Sequence, residues 1–289
     1  MVQSLESEAA SKQEIHNALY VVATPIGNLG DMVPRAVKVL QSVDLIAAED
    51  TRHSAPLLKH FSIETPMMAY HDHSDDAAIA RIERIMHEGG SVALISDAGT
   101  PLISDPGFKL LRTAHARNWR VVPVPGASAV VAALSIAGLP TDRFRFEGFL
   151  PAKAGARRSA LEALAGEPST LVFYEAPHRV LETLADMCVV LGEERLAVLG
   201  RELTKTFETV LRLPLADLLA AVQQDSNQAR GEIVLVVSGA GRQEPQLTKG
   251  VCALLDTLAE HLPPKRAAAL VSDACGLRKK ILYDYLISR

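Results

Sequence analysis

The chain has 289 residues, 48% of them hydrophobic and 22% charged. That is about twice the usual domain length, so two globular units with a small appendage are expected and bulk disorder is excluded. A balance of 30 Lys and Arg against 34 Asp and Glu leaves a net charge of −4, which excludes indiscriminate polyanion binding. No apolar run approaches the ~20 residues needed to cross a bilayer. The polar start, Met1 to Asn17, lacks a basic-then-apolar leader pattern, so a cytoplasmic protein without membrane attachment is expected. Cys188, Cys252 and Cys275 never form a close pair and fit neither a disulfide framework nor a zinc site.

In chain order, Leu19 to Ala23 reads as a strand and Pro34 to Gln41 as a helix. Asp44 to Ala48 is a second strand, followed by a helix near Pro56 to His60. Val92 to Ser96 is a third strand with the helix Phe108 to Arg117 behind it. Val121 to Val124 is a fourth, and the helix Ala127 to Ala137 ends at Gly138. Strands apolar on both faces and separated by helices predict an open α/β domain with a parallel sheet covered on both sides. Around Gly138 to Phe149 the rhythm changes. A basic helix, Lys153 to Leu164, opens a smaller α+β domain with strands at Thr170 to Tyr174, Leu196 to Leu199 and Glu232 to Val237, and helices at His178 to Leu191 and Leu215 to Gln224. This domain is expected to hold a mixed sheet. After a Gly-rich linker come three helical stretches, Leu247 to His261, Lys265 to Cys275 and Arg278 to Ile287. The expected domains are therefore a disordered extension over 1–17, a cofactor-binding α/β domain over 18–139, an α+β domain closing the cleft over 140–241, and a basic helical module over 245–289.

Charge is uneven along this order. Pro263 to Arg289 carries six basic residues (Lys265, Arg266, Arg278, Lys279, Lys280, Arg289) against Asp273 and Asp284, a local +4 that leaves the preceding chain at −8. A basic tail on an acidic body is a candidate nucleic-acid foot, and the plainer alternative is a solvated helical surface. Arg143, Arg145, Lys153, Arg157 and Arg158 form a second basic cluster near the domain junction. With only 4% aromatic residues a broad stacking platform is not expected, so a folded RNA surface suits the chain better than free single strand.

Four loops follow strands and are rich in Gly and Pro: Thr24-Pro25-Ile26-Gly27-Asn28, Glu49-Asp50-Thr51-Arg52, Ser96 to Gly107, and Pro125-Gly126-Ala127-Ser128. In an open parallel sheet ligands collect beyond the carboxyl ends of the strands. Such loops expose backbone N–H and C=O groups with little side-chain bulk. Neither G-x-x-x-x-G-K-[ST] nor G-x-G-x-x-G occurs, so NTPase and ordinary dinucleotide chemistry lose their main support. His71-Asp72-His73 offers two imidazoles at i, i+2 and no third ligand, so no metal is expected.

Five segments, Ala23 to Asn28, Glu49 to Arg52, Ser96 to Gly107, Phe173 to Arg179 and Arg201 to Lys205, resemble those of the small-subunit ribosomal RNA methyltransferase I family. These are cytidine 2′-O-methyltransferases of the tetrapyrrole-methylase superfamily. The resemblance runs from about Leu19 to Ser238, and the basic tail resembles the family's small helical module. It implies S-adenosylmethionine as cofactor, small-subunit RNA as substrate, taken as an assembled particle, and a homodimer. It also implies cofactor contacts at Pro25, Asp97, Gly99, Thr100, Ile103, Ser128, Tyr174, Glu175 and Gly231. Gly99-Thr100-Pro101 stands where superfamily members carry Gly-Asp-Pro. The first loop departs from the Gly-x-Gly-Pro-Gly form, which points away from porphyrin-like substrates.

Methyl transfer from a sulfonium is an in-line displacement, so alignment carries most of the rate. A ribose hydroxyl is a weak acid and needs a proton acceptor or a group that lowers its pKa. Asp50, Asp97, Asp105, His71, Glu202 and Lys205 are candidates by loop position, with Asp50 first and Lys205 beside it as the catalytic pair. The competing reading of Asp50 is a helix cap paired with Arg52. The competing functions are a methylase of a tetrapyrrole or protein side chain and a non-catalytic RNA-binding assembly factor, with a dehydrogenase a distant fourth.

Overall fold

The computed structural model describes residues 17–71, 76–241, 247 and 249–288. The expected N-terminal extension, apart from Asn17, and Asp72 and His73 lie outside them, as does most of the expected linker.

The first sheet comprises β1 (Leu19–Val22), β2 (Leu45–Ala48), β3 (Met67–Ala69), β4 (Val92–Ile95) and β5 (Val121–Val124), in the order β3-β2-β4-β1-β5. All neighbours pair parallel. Alternate residues divide between two cores. Tyr20, Val22, Ile46, Ala48, Ala93 and Ile95 pack under the helices Pro34–Ser42 and Thr51–His60. Leu19, Leu45, Ala47, Val92 and Leu94 face the helices Asp76–His87 and Phe108–Ala116. Two-sided burial explains why these strands read as unbroken apolar runs.

The second sheet comprises β6 (Phe144–Phe149), β7 (Thr170–Glu175), β8 (Leu196–Arg201), β9 (Thr209–Pro214) and β10 (Ile233–Val237), in the order β6-β7-β10-β8-β9. Only β6 and β7 pair parallel, so the sheet is mixed, as expected. One face, with Leu171, Phe173, Leu199 and Leu235, lies on the helices Ala154–Leu164, Val180–Leu191 and Leu215–Gln224. The other, with Val172, Val198, Val234 and Val236, receives Val130, Ala133, Leu134 and Ala137 of the helix Ala129–Ala137. That helix follows β5, so it ties the carboxyl end of the first sheet to the face of the second. The fold is thus an open parallel α/β sheet joined to a mixed α+β sheet.

Three strands and one helix go unpredicted by the sequence reading. The strands β3, β6 and β9 are all sheet edges. The helix Asp76–His87 buries Ile79, Ile82 and Met86.

Residues Gly239–Arg289, with Gly166–Pro168, form a separate compact unit. Its helices Lys249–His261, Pro264–Cys275 and Lys279–Ile287 enclose Leu255, Ala267, Ala268, Val271, Leu277 and Leu282. Lys265, Arg266, Arg278, Lys279 and Lys280 are exposed. Among the described residues no helix is long and apolar enough to cross a membrane.

Candidate functional site

All four unusual loops are laced together at the carboxyl ends of β1, β2, β4 and β5. The Thr24 N–H donates to the Gly99 carbonyl at 2.8 Å and the Gly99 N–H returns to Thr24 at 3.1 Å, an isolated antiparallel bridge. The Thr24 hydroxyl donates to the Ser96 carbonyl at 3.2 Å. The Thr100 hydroxyl donates to the Ala127 carbonyl at 3.0 Å, which pins the third loop to the fourth. Leu102 and Ser104 both hold positive φ, 74° and 69°. Left-handed backbone at non-glycine residues is costly and persists where the surroundings enforce it, often at functional sites.

The first, third and fourth of these loops form one wall of a cavity of about 410 Å³, and the second sheet forms the other. Ile26, Gly99, Thr100, Ile103, Asp105 and Ser128 come from the first side. Phe149, Tyr174, Glu175, Leu203, Gly231 and Glu232 come from the second. The size lies within the range of small-molecule sites. Among the described residues no Lys or Arg lines it, whereas Asp105, Glu175 and Glu232 do.

Each carboxyl is held differently. Glu175, 3% exposed, accepts the Thr183 hydroxyl at 2.5 Å and the Ala176 N–H at 2.7 Å, and pairs with Arg179 at 3.3 Å. Glu232 pairs with Lys205 at 3.1 Å, and Lys205 also meets Glu202 at 2.8 Å. Burial pulls the Lys205 ammonium down, but the bonds to Glu202 and Glu232 outweigh it and hold the group charged. Asp105 is pushed up to about 6, by burial first and then by the Glu49 and Asp97 carboxylates, against the pull of a hydrogen bond from Ser96. Tyr174 is pushed up to about 12 by burial and by the nearby Asp105, and its oxygen accepts a bond from the Val130 backbone.

Seven of the nine expected cofactor contacts line this cavity: Gly99, Thr100, Ile103, Ser128, Tyr174, Glu175 and Gly231. Pro25 and Asp97 do not. Pro25 lies between the bridged Thr24 and the lining Ile26, and the Asp97 carboxylate accepts the Asp50 N–H at 3.1 Å behind the loop. Neither expected catalytic residue lines it either. Asp50 caps the helix Thr51–His60, accepting the Arg52 N–H at 2.8 Å, and pairs with the Arg52 guanidinium at 2.8 Å. Those bonds hold its carboxyl far below the usual range, and the geometry is that of the competing reading, a helix cap paired with Arg52. Lys205 sits behind Glu232 with its stem across Gly27, whose φ of 144° and missing Cβ admit it. A lysine held charged has no lone pair to accept a proton.

The basic cluster expected near the junction is largely spent within the fold. Arg157, 1% exposed, pairs with Asp186 at 2.7 Å, and Arg158 meets the same carboxylate at 2.6 Å. Arg145 pairs with Glu147. Ala129, Phe149, Gly200, Glu232, Ile233 and Val234 line the cavity from outside the segments singled out in the sequence, whereas Leu203 falls within one of them. Phe149 ends an unpredicted edge strand, while Glu232 adjoins Gly231, already singled out.

Residues 18–219 match the family of tetrapyrrole (corrin/porphyrin) methylases. The chain belongs to that family. Residues 246–289 match the RsmI C-terminal HTH domain, so the helical unit also has its counterpart among these methylases. The chain is similar to the ribosomal RNA small subunit methyltransferase I of Pseudomonas aeruginosa, 59% identical over 273 residues covering 94% of this chain and 97% of that protein. It is 51% identical to the protein of the same name from Escherichia coli O157:H7, over 94% and 95% of the two chains. Among solved structures, uroporphyrin-III C-methyltransferase from Thermus thermophilus, complexed with S-adenosylhomocysteine, shares the fold at a TM-score of 0.53 and 17% identity, over 76% of this chain and 97% of that one. Diphthine synthase does so at 0.56 and 14%, over 76% and 90%.

Proposed function

We propose that this chain is an S-adenosylmethionine-dependent methyltransferase that methylates the ribose 2′-hydroxyl of a cytidine in small-subunit ribosomal RNA. The observation that carries this reading is the cavity, with acidic and backbone groups from both sheets and no lining cation among the described residues. A sulfonium donor is a cation, and a positive side chain beside it would oppose its binding. The curated relatives, matched over nearly their whole length, are named for small-subunit ribosomal RNA, which favours this substrate over a porphyrin or a protein side chain.

The residues present fit the donor. Gly99, Thr100, Ile103 and Ser128 would hold it from the first side, and Tyr174, Glu175 and Gly231 from the second. When bound, it supplies an activated methyl group. Ile26, Ile103, Leu203 and Val234 give the cavity apolar wall, which excludes water from the reacting groups. The buried anchors on Glu175 fix that wall before any ligand arrives, so little ordering remains to be done on binding. We assign residues 18–139 to the cofactor lobe, 140–241 to the lobe that closes the cavity and 245–289 to the RNA contact. A cytoplasmic homodimer acting on the assembled particle completes the reading. Its dimerisation is supported by apolar side chains left exposed at Val131 and Ile136 on the helix Ala129–Ala137.

Small subunits from cells lacking the modification, incubated with the chain and labelled S-adenosylmethionine, should gain label in one ribose of the RNA. Label in protein, or none, would reject the assignment.

A further inference from the structure

We propose that Asp105 is the catalytic residue that accepts the proton of the ribose hydroxyl. The proposal rests on the activity inferred above and deepens it. Of the three carboxyls lining the cavity, Glu175 is occupied by Thr183, Arg179 and the Ala176 N–H, and Glu232 by Lys205. Asp105 has no cationic partner among the described residues. Its hydrogen bond comes from the Ser96 hydroxyl, and the charged groups acting on it are Glu49, after β2, and Asp97, after β4. Tyr174, on β7, is close enough to feel its charge and is itself pushed up to about 12. It therefore stays neutral through the physiological range and does not compete for the proton.

The backbone holds Asp105 in place. Leu102 and Ser104 precede it at φ of 74° and 69°, and Gly107 follows at 134°. Leu102 packs into the first-sheet core with Leu94 and Leu110. A loop locked in this way presents its carboxylate without a large ordering cost at the moment of reaction.

The environment also sets its strength as a base. Half-buried, and with Glu49 and Asp97 as its charged neighbours among the described residues, the carboxyl rises to about 6. It is thus ionised at neutral pH yet more basic than an ordinary aspartate, which improves proton transfer. In the step itself the 2′ oxygen forms a bond to the methyl carbon. The carbon–sulfur bond breaks with its electron pair left on sulfur, and the hydroxyl proton passes to a carboxylate oxygen of Asp105.

The test uses the full chain with small subunits, and Asp105→Asn beside the wild type. A carboxyl-carbon NMR titration should show one group titrating near 6 that Asp105→Asn lacks. Wild-type kcat should rise with pH through the same region. Asp105→Asn should lose at least about 100-fold in kcat while its Kd for S-adenosylhomocysteine stays within about threefold. Glu49→Gln should move the acid limb of the kcat profile to lower pH, because a like charge near Asp105 is gone, and lower the plateau by no more than about threefold, because the weaker base takes the proton less readily. Three results would overturn the assignment: an Asp105→Asn chain within about fivefold of wild type, a tenfold or greater loss of S-adenosylhomocysteine binding in that variant, or an acid limb that ignores Glu49→Gln. A wild-type chain that transfers no methyl would instead reject the activity itself, and this proposal with it.

Discussion

At Gly231 the backbone turns at φ of 75°, and a Cβ there would run into the Glu202 carboxyl. That carboxyl accepts the Glu232 N–H at 2.9 Å and holds Lys205. Gly231→Ala should therefore cost about 1–2 kcal/mol for the left-handed alanine. It should also weaken S-adenosylhomocysteine binding several-fold by pushing Glu202 away from the N–H of the lining Glu232. Denaturant unfolding and calorimetry would measure the two effects separately, and unchanged binding would remove Gly231 from the site. Single residues of this kind were legible where chemistry and backbone demand coincide, as at Gly99 and Gly231. Asp50 was less so. Its sequence neighbours Thr51 and Arg52 serve a capped helix as well as they serve a catalytic loop, and only geometry separates the two.

The buried ion network shows what elements ask of side chains that read as functional. Arg157 on the helix Ala154–Leu164 is sealed against Asp186 on the helix Val180–Leu191, and Arg158 meets the same carboxylate. Burial pushes the Asp186 carboxyl up, but its bonds to Arg158 and Arg157 outweigh this and hold it below the usual range. Asp186→Ala strands a buried guanidinium and should cost about 3–5 kcal/mol at neutral pH. A folded-state pKa below the unfolded one stabilises above the unfolded value, near 4, and that contribution fades as pH falls through the folded value. The gap between wild type and Asp186→Ala should therefore be widest near pH 7 and shrink below about pH 4. A gap that is flat with pH would show that the pair contributes through packing alone. In sequence Arg157 and Arg158 are a basic pair with no visible partner, because Asp186 lies 28 residues on. The same blindness to tertiary pairing hid β3, β6 and β9. All three are edge strands; β3 is only three residues long, β6 and β9 are mixed in polarity, and β6 carries a register shift between Phe146 and Gly148. The central strands, buried on both faces, announced themselves.

Two features fall on two compact units: a cavity in the unit built from both sheets, and exposed cations on the helical unit. The charge asymmetry that marks the second was visible in the sequence, whereas the enclosure of the first required long-range pairing of loops with β7 and β10. Within the helical unit, Arg278, Lys279 and Lys280 cluster at the start of the helix Lys279–Ile287. Cations there oppose the helix dipole, so the arrangement costs local stability and makes sense toward an anionic partner. Replacing these three residues by alanine in the full chain should leave S-adenosylhomocysteine affinity within about twofold. The same change should raise KM for small subunits at least tenfold, because each lost phosphate contact removes counterion release. The slope of log affinity against log salt should become shallower by about 2–3. If subunit affinity and salt slope were unchanged, the cations would be a solvated surface only, and RNA capture would have to be sought on the unit that carries the cavity.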